Sequence, residues 1–150
     1  MIGTSVFRIS VLLLMLLLAG CEKHRLDEQV KELCAKDGGV KIYQTVTLPK
    51  DVFTEYGDLK FYRATQGENA LGPDYIFVTE ITEIKSGNPE LKRIAFRIVR
   101  RVDRVTLGES VSYARGEGDM PGPWHSSTFQ CPDKDVGEGF LMRGVFRPQS

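Results

Sequence analysis

Residues 93–114 read RIAFRIVRRVDRVTLGESVSYA, and this stretch decides the fold class. Apolar and polar side chains alternate on both sides of a central Asp103-Arg104, which is the pattern of two half-buried strands joined by a tight turn. A tight turn at that point, or a four-residue loop in the same register, places Ile94 opposite Tyr113 and gathers the apolar side chains on one face. A slip of one residue would mix the two faces, so we expect an antiparallel hairpin in this register.

Two charged residues fall on the predicted apolar face of the hairpin. In the expected register Glu109 lies opposite Ile98, and Arg100 lies diagonal to Glu109. One interpretation is a perturbed acid or base in a cleft. The other is a structural ion pair between Arg100 and Glu109. We favour the ion pair because diagonal neighbours on paired strands are about 7–8 Å apart, within reach of an arginine side chain.

The polar face of the hairpin carries an arginine stripe, which consists of Arg93, Arg97 and Arg101. A guanidinium group binds carboxylates and phosphates in a planar fork. The stripe is therefore a candidate surface for acidic partners, lipopolysaccharide phosphates or cell-wall carboxylates. In the alternative interpretation it is a solvated face whose charge is offset by acids such as Glu80 and Glu83 on a neighbouring strand.

The other elements follow from their periodicity. Leu26, Val30 and Cys34 recur at helical spacing, and the glycine pair at 38–39 ends that pattern. Runs rich in β-branched and apolar residues predict further strands, over 40–48, 75–84 and 140–146. The chain is therefore predicted to be a single α+β domain, with an N-terminal helix packed on a mostly antiparallel sheet of about five strands.

The first residues of the chain have the pattern of an export signal. Arg8 precedes an uncharged, leucine-rich stretch that runs from Ile9 to Gly20. A transmembrane helix needs about 20 apolar residues, and this stretch is shorter. A basic start, a short apolar middle and small residues at the end are typical of a cleavable secretory signal.

The end of that stretch, Leu18-Ala19-Gly20-Cys21, resembles a bacterial lipobox. The resemblance implies that the Cys21 thiol receives a diacylglyceryl group, that residues 1–20 are removed as a signal peptide, and that the new amino end is acylated with a chain such as palmitate. Several acyl chains make such an anchor effectively permanent. The resemblance also implies that Glu22, which is not Asp, favours the outer membrane over the inner membrane. The alternative is an ordinary secretory signal that ends at a chance cysteine.

The mature chain would begin with a charged tether, residues 21–25, and continue as one periplasmic domain, residues 26–150. With Cys21 taken by lipid, two of the three cysteines remain, Cys34 and Cys131. An even pair in an oxidising compartment predicts a disulfide bond. The alternative is two separate thiols, with Cys34 acting as a small core residue.

A proline-rich loop carries the only tryptophan of the chain. It reads Pro121-Gly122-Pro123-Trp124-His125. Prolines stiffen the loop, and the indole of Trp124 offers a large amphipathic contact. Trp124 and His125 are therefore candidate binding residues at a recognition tip. In the alternative interpretation the loop folds back and caps the core.

The sequence gives no sign of catalysis by a known motif. No cysteine or histidine spacing fits a zinc site, and no nucleophile-elbow, zincin or phosphate-loop pattern occurs. We therefore expect no metal and no cofactor. Equal numbers of basic and acidic residues, 20 of each, provide no net charge for binding nucleic acid.

These observations predict a membrane-anchored envelope lipoprotein with a non-enzymatic binding or structural role. Its expected partners are the membrane, through the lipid on Cys21, and an envelope protein or cell-wall polymer. An alternative function is an inhibitor or exclusion lipoprotein that acts against a lytic enzyme, a toxin or incoming phage or plasmid DNA. A third is an envelope hydrolase that uses Glu109 or His125.

Overall fold

The computed structural model describes residues 22–118 and 127–150. This part of the chain is an α+β domain in which a helix packs on a five-stranded antiparallel sheet, as the sequence predicts. The helices are α1, residues 22–37, and α2, Glu138–Val145. The strands are β1 (Gly39–Ile42), β2 (Val46–Leu48), β3 (Tyr75–Lys85), β4 (Glu90–Arg100), β5 (Thr106–Gly116), β6 (Thr128–Cys131) and β7 (Phe146–Pro148). Short 3-10 turns cover Lys50–Val52 and Ala64–Asn69.

The sheet has the order β1-β5-β4-β3, and β6 also pairs with β5. β1 and β6 lie end to end along the same edge of β5, because β1 pairs with residues 108–111 and β6 with residues 113–116. β3 forms the opposite edge. A separate parallel pair joins β2 to β7, so the single strand predicted over 40–48 is two strands that belong to different sheets.

Helix α1 packs on one face of the sheet. Its apolar stripe of Leu26, Val30 and Cys34 is buried, as predicted, and lies in a cluster with residues of β4 and β5. The helix ends where the Gly38 amide donates to the Cys34 carbonyl at 2.8 Å. Gly39 then takes a φ of +111°, which glycine adopts without steric cost. The predicted helix and its glycine stop are confirmed.

The predicted antiparallel hairpin is present as β4 and β5, but its register differs from the predicted one. Val111 and Tyr113 of β5 lie on the α1 face of the sheet. Ile94 lies opposite Ser112, and Tyr113 lies opposite Arg93, one residue away from the expected pairing. The register also shifts between Ile98 and Val99, which adds a residue near the turn. The hydrophobic pattern could not choose the register because β4 and β5 contribute buried residues to a core on each face of the sheet.

Helix α2 covers the second face, and it corrects another prediction. Residues 140–146 were expected to form a strand, but residues up to Val145 are helical. Leu141, Met142 and Val145 are buried at helical spacing and pack with Ile98 of β4. A short apolar run fits either element, and here the packing against the sheet decides for the helix.

Residues 22–25, expected to form most of a tether, are helical and belong to α1. The Glu22 carboxylate lies 3.2 Å from the ammonium of Lys85 at the end of β3. The helix is therefore in contact with the sheet from its first described residue. Among the described residues, no helix has the length and apolar character that crossing a membrane requires.

Candidate binding groove

The two cysteines predicted to pair lie together. The sulfur atoms of Cys34 and Cys131 are at disulfide bonding distance, and the two Cα atoms are 5.9 Å apart. The bond joins the last turns of α1 to β6, which pairs with β5 at Tyr113. Cys21 and the loop residues Trp124 and His125 lie outside the described residues.

The arginine stripe is not a free surface. Arg97 of β4 makes an ion pair with Glu80 of β3 at 3.0 Å, which fits the interpretation of a face offset by neighbouring acids. Arg101 follows the end of β4, and its guanidinium donates to the Asn69 side chain at 2.9 Å. These groups already have partners, so the stripe is a weaker binding candidate than the sequence suggested.

Arg93, the third member of the stripe, belongs to a network at the C-terminal end of α1. Asp37 accepts a hydrogen bond from Tyr113 at 2.7 Å and pairs with Arg93 at 3.2 Å. Partial burial on its own raises the pKa of the Asp37 carboxyl. The hydrogen bond from Tyr113 and the charge of Arg93 together outweigh that effect, so the pKa of Asp37 lies below its usual value. This network holds the helix on the sheet.

The predicted ion pair between Arg100 and Glu109 is wrong. Arg100 pairs with Asp103, three residues along the chain, at 2.7 Å. The corrected register places Glu109 opposite Arg97, beside strand β1. There Glu109 accepts a hydrogen bond from the Tyr43 hydroxyl at 2.6 Å and lies 3.7 Å from Lys41.

A groove of about 400 Å³ lies between the chain that follows β2 and the chain that ends in β7. We call it the β7 groove. Its lining residues come from two distant segments, brought together by the β2–β7 pairing. They are Lys50, Phe53, Thr54, Glu55, Gly57, Arg143, Phe146, Arg147 and Pro148.

Local structure positions both walls of the β7 groove. On one wall the 3-10 turn ends at Phe53, whose amide donates to the Lys50 carbonyl and which forms a bridge with Leu59. On the other wall the α2 helix ends and continues directly into β7, which places Arg143 and Arg147 on the same groove.

The lining combines an apolar floor with a rim of three cations, Lys50, Arg143 and Arg147, and one carboxylate, Glu55. Phe146 is buried and belongs to the core, so the floor is rigid. Of the three cations, Arg143 pairs with Asp58 at 3.3 Å. Within the described residues, Lys50 and Arg147 make no ion pair. A groove of this kind suits a ligand that carries a carboxylate or phosphate next to an apolar group.

Two further cavities lie at the same end of the molecule. One of about 390 Å³ and one of about 250 Å³ share the residues Pro73, Asp74 and Tyr75, at the start of β3. The Tyr75 ring contacts the Phe146 ring with 4.9 Å between centroids, which links these cavities to the floor of the β7 groove. We call this end of the domain the Tyr75 end.

The sequence offered no signal for this site. Lys50 and Arg147 are far apart in the chain, and neither belongs to a recognisable motif. Among the described residues, no cluster of three or more acidic, histidine or cysteine side chains could hold a metal ion. No known protein family, no curated protein and no solved structure matches this chain.

Proposed function

We propose that this chain is a lipid-anchored protein of the bacterial cell envelope that acts by binding and not by catalysis. The lipid is carried by Cys21, the domain faces the periplasm, and the outer membrane is the favoured location. The partner is an envelope protein or cell-wall polymer that presents acidic groups to the Tyr75 end. The resemblance of residues 18–21 to a lipobox supports the anchor.

The observation that carries this proposal is the position of α1. Glu22, the residue that follows Cys21, lies beside Lys85 at one end of β3, and the β7 groove lies at the other end. β3 has 11 residues, and the ten steps from Tyr75 to Lys85 correspond to about 33 Å at roughly 3.3 Å per residue. An anchor on Cys21 therefore leaves the Tyr75 end and its cavities facing away from the membrane.

Mass spectrometry of the protein extracted from envelopes tests the anchor. We expect a mature chain that begins at Cys21 and carries a diacylglyceryl group and an N-linked acyl chain. The Cys21→Ser variant is expected to lose both additions and to leave the membrane fraction. An unprocessed chain without lipid, found in the cytosol, would contradict the proposal.

Binding at the β7 groove is tested with the Cys21→Ser domain and purified cell-wall sacculi, which sediment with any bound protein. Reversing the two unpaired cations in a Lys50→Glu/Arg147→Glu variant should weaken binding by roughly tenfold or more, because each charge-assisted bond contributes about 1.5 kcal/mol or more. Lys36→Glu, on exposed α1 surface, is the matched control.

The same two variants distinguish the possible partners. If sacculi do not bind the parent domain, chemical crosslinking in intact envelopes shows whether an envelope protein is captured, and the capture should again depend on Lys50 and Arg147. A partner captured equally by the groove variant and by the control would show that the groove is not the binding site.

A further inference from the structure

Among the described residues, half of the edge strand β3 has no covering element. The residues from Thr79 to Ile84 are all exposed, whereas Ile76 and Phe77 are buried. Two large apolar side chains stand in this uncovered half. Ile81 is 63% exposed, and Ile84 is 41% exposed. Within the described part of the chain, β3 pairs with β4 alone, so its outer edge is open.

The uncovered half is the half nearest to the proposed lipid. Ile84 directly precedes Lys85, whose ammonium lies 3.2 Å from the Glu22 carboxylate. Cys21 is the residue before Glu22 in the chain. Ile81 is four residues from Lys85, about 13 Å along the strand. Ile84 is thus next to the point at which an acyl anchor would enter the bilayer, and Ile81 lies further along the same strand.

The local backbone disfavours a protein strand as the covering element. The β3–β4 register shifts between Glu83 and Lys85, which leaves Ile84 without a paired residue in β4. Glu80 and Glu83 are exposed on the same half. Bulges and charged side chains are the features by which edge strands avoid pairing with other strands. The two isoleucines therefore need a partner that does not require a regular strand edge.

We infer that Ile81 and Ile84 form a membrane-contact strip that lies in the interfacial layer of the bilayer, beside the acylated amino end. This inference rests on the proposed lipid anchor. The interfacial layer is about 5–8 Å deep on each side of the hydrocarbon. Ile81 and Ile84 are about 10 Å apart along β3, so both enter this layer when the strand lies oblique to the membrane, and the open backbone edge stays hydrated. The strip fixes the tilt of the domain, with the Tyr75 end directed outward.

The test uses the acylated protein, extracted from envelopes and reconstituted in phosphatidylcholine vesicles. Trp124 is the only tryptophan, so a Trp124→Phe background makes one introduced tryptophan the sole indole. The variants are Ile84→Trp and Ile81→Trp. Val102→Trp is the matched control, because Val102 is 88% exposed and lies at the Tyr75 end.

The measurement is tryptophan emission in vesicles with and without bromine on the acyl chains. We expect brominated lipid to reduce the emission of both isoleucine variants roughly twofold, because the interfacial layer adjoins the hydrocarbon. The Val102→Trp control should keep its emission and remain open to aqueous iodide. Two variants on the strip protect the result against a local folding defect at either position.

Each other outcome overturns the inference in a distinguishable way. If mass spectrometry or vesicle flotation shows no anchored protein, both the inference and the proposed function fail. If all three variants float but quench equally weakly, the anchor stands and the strip does not contact lipid. If the strip variants are shielded from iodide without lipid quenching and the protein sediments as a dimer, a second copy covers β3.

Discussion

At the scale of single residues, Arg115 is the one charged side chain that is buried among the described residues. Its side chain is 2% exposed and pairs with Asp27 of α1 at 2.6 Å. It also donates to the backbone carbonyls of Glu117 and Ser127. Burying a guanidinium is costly unless its donors are satisfied, and here helix α1 and the residues that follow β5 and precede β6 supply the acceptors.

Replacing Arg115 with Met should therefore lower the free energy of unfolding by about 3–5 kcal/mol, because Asp27 and two carbonyls lose their partner. Urea denaturation of the Cys21→Ser domain measures this. Arg97→Met is the control, since the pair with Glu80 is solvent-exposed and contributes roughly 1 kcal/mol or less. Equal losses in both variants would mean that the buried network contributes nothing beyond a surface pair.

Asp37 makes the free energy of unfolding depend on pH, and the direction of this dependence follows from its pKa. Its folded-state pKa is lower than the ordinary aspartate value, so the unfolded chain binds the proton more tightly. The contribution of Asp37 to stability is complete above the unfolded pKa, about 3.9, and is lost as the pH falls through the lower folded pKa. In Asp37→Asn we expect a shallower decline of unfolding free energy below about pH 4. Parallel acid curves for variant and parent would contradict this.

At the scale of elements, the end of α1 depends on one glycine. A Cβ at Gly38 would stand 2.7 Å from both the carbonyl oxygen and the sulfur of Cys34. These are parts of the helix terminus and of the disulfide, which have little room to move. Gly139 in α2 is the natural comparison, because a Cβ there would meet nothing closer than 3.6 Å.

Gly38→Ala should accordingly destabilise the domain by about 1–3 kcal/mol, the usual range for overpacking. Gly139→Ala should raise the free energy of unfolding by about 0.5–1 kcal/mol, because alanine is the better helix former. Denaturant titrations of both variants under oxidising conditions provide the comparison. A neutral Gly38→Ala would show that the helix end can rotate away from the sulfur.

The elements also show where sequence reasoning succeeds. The stripe of Leu26, Val30 and Cys34 identified α1 because only one side of that helix is buried. The same pattern predicted the β4–β5 hairpin but not its register, because these two strands have buried residues on both faces and alternation no longer marks the core side. α2 is only eight residues long, and its apolar run is too brief for its period to be read.

The β7 groove could not be predicted from the sequence, for a related reason. The arginines of β4 are conspicuous in the sequence, but their partners Asp37 and Glu80 belong to other elements. Conversely, Lys50 and Arg147 belong to no motif in the sequence. They line the same groove because β2 and β7 pair in parallel. Spacing along the chain carries no information about such a non-local pairing.

At the scale of the whole molecule, α1 is both the continuation of the proposed anchor and a layer of the core. Leu26 and Val30 are buried against Leu91 and Val111 of the sheet. The disulfide fixes only the far end of the helix, at Cys34. The proposed lipid attachment at Cys21 is therefore separable from the fold, but the helix that follows is not.

This separation predicts different outcomes for two soluble forms of the domain. The Cys21→Ser form should unfold cooperatively in urea, because its core is complete. A form that lacks residues 22–30 loses Leu26 and Val30, and each such loss removes about 2–5 kcal/mol from a total stability of about 5–15 kcal/mol. We expect the shortened form to lose its near-ultraviolet circular dichroism and its cooperative transition. If it instead unfolds at the same urea concentration as the Cys21→Ser form, α1 acts only as a spacer between lipid and domain.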